Sequence, residues 1–260
     1  MTTDRALLEL AVEGARRAGA LLLERFAAPA RGVAAKSTPT DPVSDADRDS
    51  EALLLGVIAR ARPGDGILAE EGGSERSSTG LTWVVDPLDG TVNFLYGRPD
   101  WAVSIAVEDG EGPVAGVVFQ PVADELFAAR RGGGSFLNGR PVRVSDVGEL
   151  SSALIGTGFS YSAEVRARQA ETAQRVLPRV RDIRRAGSAA LDLAALACGR
   201  LDGFFEAPMG PWDRAAGVLL IREAGGIVSD LPAPVGPDRG VIAAGPTLHD
   251  PLRALVLDNG

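Results

Sequence analysis

The sequence has 260 residues, of which 45% are hydrophobic and 24% charged, a composition typical of a globular protein with a substantial core. Its formal net charge of −8, from 27 basic and 35 acidic residues, argues against a surface that binds the nucleic acid backbone. The only cysteine is Cys198 and the only histidine is His249, which excludes an internal disulfide and nearly excludes Ser-His-Asp, Cys-His and poly-His metal chemistry. We expect His249 at the surface.

Two helices are predicted at the start of the chain. Apolar residues recur at spacings of three and four over residues 5–26, which is typical of an amphipathic helix. Ser44 and Asp47 resemble a capping box, so a second helix should begin there and end before Pro63. Neither a basic segment followed by an apolar stretch nor a run long enough to span a membrane is present, so we expect a cytoplasmic protein without membrane contact.

Short strand-like runs follow, separated by clusters of Gly, Pro and Asp. They lie at residues 66–69, 82–85, 102–107 and 114–119, and predict a mainly antiparallel sheet. We interpret residues 132–139 as a hairpin connection. The boundary between two halves is predicted near residue 150, which gives units 1–150 and 151–260.

Strands and helices alternate in the second half. We predict strands near 154 and 183 and at 204–205, 227–228 and 241–243, with helices at 163–177, 188–198, 214–224 and 248–257. The two halves together predict an α+β fold with an antiparallel N-terminal sheet and a mixed C-terminal α/β half.

The segment 83–94 carries the most informative pattern. An apolar strand ends on Asp86, and the turn at Asp89-Gly90 directs both carboxylates to one location past the strand. The backbone N–H groups of Gly90 and Thr91 open a helical turn there and can receive an anion. Such a turn is also common without any function, so both interpretations remain open.

Two further acidic positions are candidates for the same place. Glu70 ends the preceding strand and Asp213 opens a later helix, although a solvated loop acid and a helix N-cap are the ordinary explanations. Carboxylates gathered in one site repel each other unless a divalent ion holds them. Because no His or Cys is available as a ligand, the oxygen donors favour Mg²⁺ or Mn²⁺ over Zn²⁺.

These residues resemble the inositol monophosphatase family of lithium-sensitive, Mg²⁺-dependent phosphatases. The resemblance runs through Glu70-Glu71, residues 86–94, 187–192 and 204–206, and Trp212-Asp213, within about residues 36–230. It implies a layered α-β-α-β-α sandwich of the sugar-phosphatase type and a homodimer. It also implies hydrolysis of inositol-1-phosphate or a related polyol phosphate by attack of a metal-activated water.

The resemblance further implies roles for single residues. The ligands of two to three Mg²⁺ ions, with Mn²⁺ as an alternative, would be Glu70, Asp86, the Leu88 carbonyl, Asp89 and Asp213. Catalytic roles would belong to Glu70 and to Thr91, which positions the attacking water with Asp47 behind it. Phosphate would be held by the N–H groups of Gly90 and Thr91, and the substrate hydroxyls by Asp89, Gly187, Ala189 and Glu206.

Lys36 is the only lysine among the 27 basic residues. The composition strongly favours Arg, so a retained Lys indicates a position that needs a compact ammonium group, with chance as the alternative. The resemblance places Lys36 near the metal-bound water, and we assign it a supporting electrostatic role in catalysis.

The residues leave the substrate and a second role open. Relatives with the same metal site use histidinol phosphate, fructose-1,6-bisphosphate or 3′-phosphoadenosine 5′-phosphate, and the fold does not choose among these substrates. Some bacterial relatives also join transcription complexes, which makes a protein-interaction role the alternative from another class. The expected partner is a small phosphate ester, and direct nucleic acid binding is not expected.

Overall fold

The computed structural model describes residues 4–28, 32–36, 42–72 and 74–257. Its helices are α1 (Asp4–Phe26), α2 (Asp45–Ala61), α3 (Thr91–Leu95), α4 (Ala163–Val176), α5 (Ala189–Ala197), α6 (Pro211–Glu223) and α7 (His249–Leu257). Its strands are β1 (Ala34–Ala35), β2 (Pro42–Val43), β3 (Gly66–Ala69), β4 (Ser74–Glu75), β5 (Thr82–Asp89), β6 (Ala102–Asp109), β7 (Gly112–Gln120), β8 (Glu125–Arg130), β9 (Ser135–Leu137), β10 (Arg140–Pro141), β11 (Leu154–Thr157), β12 (Asp182–Arg184), β13 (Gly203–Glu206), β14 (Ile227–Pro232) and β15 (Arg239–Ala244). None of these helices is long and apolar enough to cross a membrane.

The first two helices confirm the predictions from periodicity and capping. The buried face of α1 carries Leu7 and Leu22, one face of an amphipathic helix that packs against the first sheet. At the start of α2, both the backbone N–H and the hydroxyl of Ser44 donate to Asp47 Oδ2, at 2.8 and 2.6 Å. These bonds satisfy a donor at the helix start and fix the Asp47 carboxylate.

The first sheet has the strand order β10-β9-β8-β7-β6-β5-β3-β4. Its pairs are antiparallel except β3 and β5, which are parallel with Ala69 opposite Val85, so the predicted mainly antiparallel sheet is confirmed and the one parallel pair was not predicted. The chain reverses after β3 to form β4 at the sheet edge and reverses again before β5. The C-terminal ends of β3 and β5 therefore lie side by side at the same end of the sheet.

Two details of the first half also differ from the sequence analysis. Strand β8 was not predicted, and residues 132–139 are not only a connection because they contain β9. The tight turn lies at Gly132–Gly134, where positive φ angles of 67° and 83° suit glycine. A three-residue strand is too short to show an alternating pattern, which explains why β9 was missed.

The second sheet has the order β12-β11-β13-β15-β14. Strands β12, β11 and β13 are parallel, whereas β15 and β14 pair antiparallel, which confirms the predicted mixed sheet. Helices α1 and α2 cover the outer face of the first sheet. Helices α5 and α6 pack on its other face and also contact the second sheet. Helix α7 lies on the second sheet and packs with α4. This α-β-α-β-α order confirms the α+β fold; the division near residue 150 stays a prediction.

His249 is buried, with 3% of its surface exposed, so the prediction of a surface position was wrong. Its Nε2 lies 3.0 Å from Ser229 Oγ and its Nδ1 lies 3.0 Å from Asp250 Oδ1. Because both ring nitrogens have polar partners, the imidazole is accommodated at the start of α7 beside β14.

Asp65 anchors the start of β3 through a buried hydrogen-bond cluster. It accepts bonds from the Arg62 guanidinium at 2.7 and 3.0 Å, from Thr79 Oγ1 at 2.6 Å and from the indole N–H of the fully buried Trp83 at 3.0 Å. Burial alone would raise the pKa of Asp65, but the hydrogen bonds from these partners lower it below the ordinary value of 3.8.

We expect Asp65→Asn to lower the free energy of unfolding by about 2 kcal/mol at neutral pH, because it weakens the ion pair with Arg62 and loses acceptors. Since the folded-state pKa is lowered, this contribution is present above pH 3.8 and is lost as the pH falls through the folded-state value. Urea denaturation at neutral and acidic pH measures both effects. The exposed Asp49, paired with Arg25, supplies the control: Asp49→Asn should cost below about 1 kcal/mol. Equal effects of the two substitutions would contradict the role of Asp65.

Candidate active site

A cavity of about 270 Å³ opens where β3 and β5 end, next to the N-terminal ends of α5 and α6. It brings together all of the predicted site residues except Asp47. Those that line it are Lys36, Glu70, Asp86, Leu88, Asp89, Gly90, Thr91, Gly187, Ala189, Glu206 and Asp213. The two halves of the chain therefore meet in one pocket that is rich in carboxylates.

The parallel pairing of β3 and β5 explains how Glu70 and Asp86 become neighbours. Glu70 directly follows β3, and its N–H donates to Val85 O at 3.2 Å, so it lies beside the residue that precedes Asp86. The pairing of β5 with β6 shifts register between Asp86 and Asp89. Residues three apart on a regular strand face opposite sides, and this irregularity lets both carboxylates line the cavity.

Asp213 lies at the third position of α6 and not at its N-cap, which is Gly210. The ordinary N-cap explanation is therefore wrong for this residue. Its Oδ2 accepts a hydrogen bond from the Gly210 N–H at 2.8 Å, which fixes the carboxylate at the cavity wall.

The carboxylates in this cavity disfavour one another's charged forms. Burial raises the pKa of Asp86 well above its usual range, and the charges of Glu70 and Asp89 add to the effect. Burial likewise raises the pKa of Asp213. The pKa of Asp89 rises to about 6 by burial, although the hydrogen bond from Ser188 opposes this. A bound cation would relieve this repulsion.

Lys36 supplies a positive charge beside this group. Its Nζ lies 2.8 Å from Glu70 Oε1 and 2.5 Å from Glu71 Oε1. Burial alone would lower the pKa of Lys36, but the charges and hydrogen bonds of Glu70 and Glu71 outweigh it and raise that pKa. Lys36 therefore stays cationic and holds the Glu70 side chain.

The donor atoms of the cavity fit a divalent metal ion in their chemistry. Within residues 4–28, 32–36, 42–72 and 74–257, no three acidic, His or Cys side chains stand preassembled around one point. The acidic side chains Glu70, Asp86, Asp89 and Asp213 nevertheless share one cavity, and each offers a hard oxygen. An oxygen-only donor set of this kind suits a hard divalent cation.

Thr91 and Asp47 form a hydrogen-bonded pair at the cavity floor. Thr91 Oγ1 lies 2.8 Å from Asp47 Oδ1 and 3.1 Å from Leu88 O, and Asp47 is completely buried behind it. The preceding Gly90 has φ 94°, and a Cβ there would lie 2.9 Å from Asp100 O, so only glycine fits. This turn presents the start of α3 to the cavity.

The second half of the chain supplies the opposite wall. Asp89 Oδ2 accepts hydrogen bonds from Ser188 Oγ at 2.6 Å and Ala190 N at 2.7 Å, which join β5 to the start of α5. The Glu206 carboxyl packs on Gly158, where a Cβ would lie 2.1 Å from it. Burial raises the pKa of Glu206 to about 8, and the charge of Asp213 acts in the same direction.

Sequence reasoning missed nine of the residues that line this cavity, and among them are Arg185, Ser188 and Asp192. Burial raises the pKa of Asp192 to about 8, a shift to which the Asp89 charge adds and which Arg185 opposes. A usable signal was present in the sequence, because Ser188 and Asp192 lie within the segment 187–192 that carried the resemblance, and Arg185 lies two residues before it.

Comparison with known proteins identifies the family. The family model described as "Inositol monophosphatase family" matches residues 4–259. The chain belongs to this family. The expectation from the sequence motifs is thereby confirmed, and the family supports a phosphatase that acts on small phosphate esters and is generally metal-dependent.

Individual relatives of the family carry two kinds of name. The inositol-1-monophosphatase of Mycobacterium bovis is 47% identical over 249 residues, which cover 92% of this chain and 86% of that protein. The Nus factor SuhB of Escherichia coli is 42% identical over 227 residues, with coverages of 86% and 85%. The crystal structure of extragenic suppressor protein suhB from Bartonella henselae superposes with a TM-score of 0.91 at 38% identity, covering 98% of this chain and 100% of that one.

Proposed function

We propose that this chain is a Mg²⁺-dependent phosphomonoesterase that hydrolyses inositol-1-phosphate or a related polyol phosphate. The observation that carries the proposal is the convergence of Glu70, Asp86, Asp89 and Asp213 on one cavity, beside the Thr91–Asp47 pair. The relatives named inositol-1-monophosphatase support the choice of substrate. We also propose that the protein is cytoplasmic and homodimeric, which analytical ultracentrifugation tests for the dimer.

The metal ligands in this proposal are Glu70, Asp86, the Leu88 carbonyl, Asp89 and Asp213, for two to three ions. Bound Mg²⁺ would neutralise the phosphate charge, lower the pKa of a bound water and stabilise the leaving oxygen. Mn²⁺ is the alternative ion, because the donors are hard oxygens.

The residues of the chain orient the water and the phosphate. Because the Thr91 hydroxyl donates to buried Asp47, its oxygen lone pairs are free to accept a hydrogen bond from the attacking water and so to orient that water. The N–H groups of Gly90 and Thr91 hold the phosphate at the start of α3. No covalent intermediate on the protein is required.

The opposite wall of the cavity would bind the alcohol part of the substrate. Asp89 and Glu206 would accept hydrogen bonds from hydroxyl groups, and the backbone at Gly187 and Ala189 would contact the ring. The Ser188 hydroxyl and the backbone N–H of Ala190 fix Asp89 in this position through the hydrogen bonds described above.

A phosphate-release screen with Mg²⁺ tests the substrate. The panel contains inositol-1-phosphate, histidinol phosphate, fructose-1,6-bisphosphate and 3′-phosphoadenosine 5′-phosphate, with EDTA as the control. We expect the highest kcat/KM for inositol-1-phosphate. A clearly higher kcat/KM for one of the other esters would replace the proposed substrate, and no release from any phosphomonoester would contradict the proposed activity.

A second candidate function is a protein-interaction role in transcription, which the relatives named Nus factor SuhB favour. Asp86→Asn separates the two functions, because it should remove phosphatase activity without changing the outer surface. A pull-down of transcription complexes from cell extract, run beside phosphate release with the same preparation, measures both. Capture of transcription complexes by wild type and Asp86→Asn to the same extent would support the second role. If neither protein captures them, phosphatase activity is the only proposed function that remains.

We expect Lys36→Arg to lower kcat/KM by about tenfold while the melting temperature stays unchanged, because a planar guanidinium does not replace a compact ammonium between two carboxylates. Steady-state kinetics and thermal unfolding measure the two effects. The exposed Arg5, paired with Glu9, gives the control substitution Arg5→Lys, which should change neither. Unchanged kinetics of Lys36→Arg would mean that Lys36 has no role in catalysis and that its retention is a matter of chance.

We expect Glu206→Gln to weaken the preference for inositol-1-phosphate over fructose-1,6-bisphosphate by about 1 to 3 kcal/mol, the usual value of a charged hydrogen bond. Above its raised pKa of about 8, the ionised Glu206 carboxylate would accept hydrogen bonds from hydroxyls and repel a second phosphate, so the assay is run above that pH. The ratio of kcat/KM for the two substrates is the measurement, with Glu149→Gln at an exposed position as the control. An unchanged ratio would remove Glu206 from the substrate site.

A further inference from the structure

A second cavity, of about 320 Å³, lies behind the wall of the candidate active site. It is bounded by α4, β13, β14 and the end of α7, and it shares a wall with the first cavity, formed by Thr157, Gly158, Phe159 and Glu206. None of the proposed metal ligands lines the second cavity. It is therefore a separate space with its own chemistry.

The walls of the second cavity are largely apolar. Phe159, Phe205, Leu231 and Val256 contribute from four different parts of the chain. A cavity of this size and lining suits a small organic molecule with an apolar body.

Arg175 is the cationic group of this cavity. Its Nη2 donates to Thr172 Oγ1 and to Val256 O, both at a long 3.3 Å. Its Nε is buried and has no hydrogen-bond partner. Among the residues that the structure describes, no carboxylate forms an ion pair with Arg175.

A guanidinium that has no carboxylate partner in an apolar cavity indicates that a ligand of this cavity is negatively charged. A buried donor without an acceptor is costly, and a guanidinium that lines an apolar cavity binds a carboxylate through charge-assisted N–H bonds. Because a single arginine supplies the charge here, a monoanion balances it better than a phosphate dianion does.

We propose that this cavity binds a small amphiphilic carboxylate, with the carboxylate on Arg175 and an aromatic or branched aliphatic body against Phe159, Phe205 and Leu231. The site is independent of the phosphatase activity and does not rest on it. Its ligand is recognised by one negative charge at one end and an apolar surface over the rest.

Isothermal titration with 2-naphthoate, in the presence of Mg²⁺, tests this site. We expect 2-naphthoate to bind and the neutral 2-naphthamide, which has the same shape, to bind about tenfold more weakly or worse. Arg175→Gln should weaken 2-naphthoate binding by a similar factor. The matched control is Arg185→Gln, which changes an arginine of the other cavity and should leave the affinity for 2-naphthoate unchanged.

Other results would overturn the proposal. Equal affinity in wild type and Arg175→Gln would exclude Arg175, and a loss in Arg185→Gln alone would place the ligand in the catalytic cavity. If Arg175→Gln does not fold, Ala233→Phe fills the cavity from another wall and should abolish binding; retained binding would contradict the site.

Discussion

Asp86→Asn should lower kcat by roughly two to four orders of magnitude at saturating Mg²⁺. Asp86 is 1% exposed, and the charges of Glu70, Asp89 and Asp213 all act on it, so it occupies the centre of the acidic group. In the proposed site it would be a ligand of both main ions, and the neutral amide would weaken the binding of both. Asparagine keeps an oxygen that can accept from the Leu88 N–H, as Asp86 does at 3.0 Å, so the local backbone should persist.

Thr91→Ala is the comparison, because it removes only the hydroxyl that positions the water and leaves the acidic group intact. We expect a smaller loss, of about one to two orders of magnitude. Steady-state phosphate release measures both variants. A second readout is thermal unfolding without metal, in which Asp86→Asn should be at least as stable as wild type because a buried charge is removed. Near-wild-type rates for Asp86→Asn would mean that the active site lies elsewhere.

Removal of divalent metal should abolish activity. The acidic residues of the cavity repel each other and bind substrate phosphate poorly without a cation, because the phosphate is also negative. We expect no phosphate release in excess EDTA, full recovery with Mg²⁺ and inhibition by Li⁺. Activity assays before and after chelation, with readdition of Mg²⁺, measure these effects, and full turnover in excess EDTA would contradict the metal assignment.

The parts of the fold that follow from local sequence were predictable. The spacing of apolar residues defined α1, and Ser44 with Asp47 defined the start of α2. The parallel pairing of β3 and β5 was not predicted, because strand partners are chosen by long-range contacts that a local pattern does not contain. The burial of His249 was missed for a similar reason: its partner Ser229 comes from a different strand.

In the candidate site, too, some features follow from local sequence and others depend on long-range contacts. The turn at Asp89-Gly90 was visible in the sequence, and Glu70 was a candidate for the same place because it ends the preceding strand. Its position beside Asp86 depends on the parallel pairing of the two strands, which a local pattern does not contain. Arg185 and Asp192 were missed because their approach to the cavity depends on how α5 packs against the first half. Local patterns identified candidate ligands, and tertiary structure determined which of them share one cavity.

Metal binding tests the central claim most directly, because it does not depend on the choice of substrate. Metal-free protein is titrated with Mn²⁺, and free Mn²⁺ is followed by electron paramagnetic resonance for wild type and for Asp86→Asn. The account predicts that wild type binds at least two ions per chain and that Asp86→Asn loses tight binding of both, since one carboxylate bridges them. Equal Mn²⁺ binding by the two proteins would contradict a metal centre at this cavity.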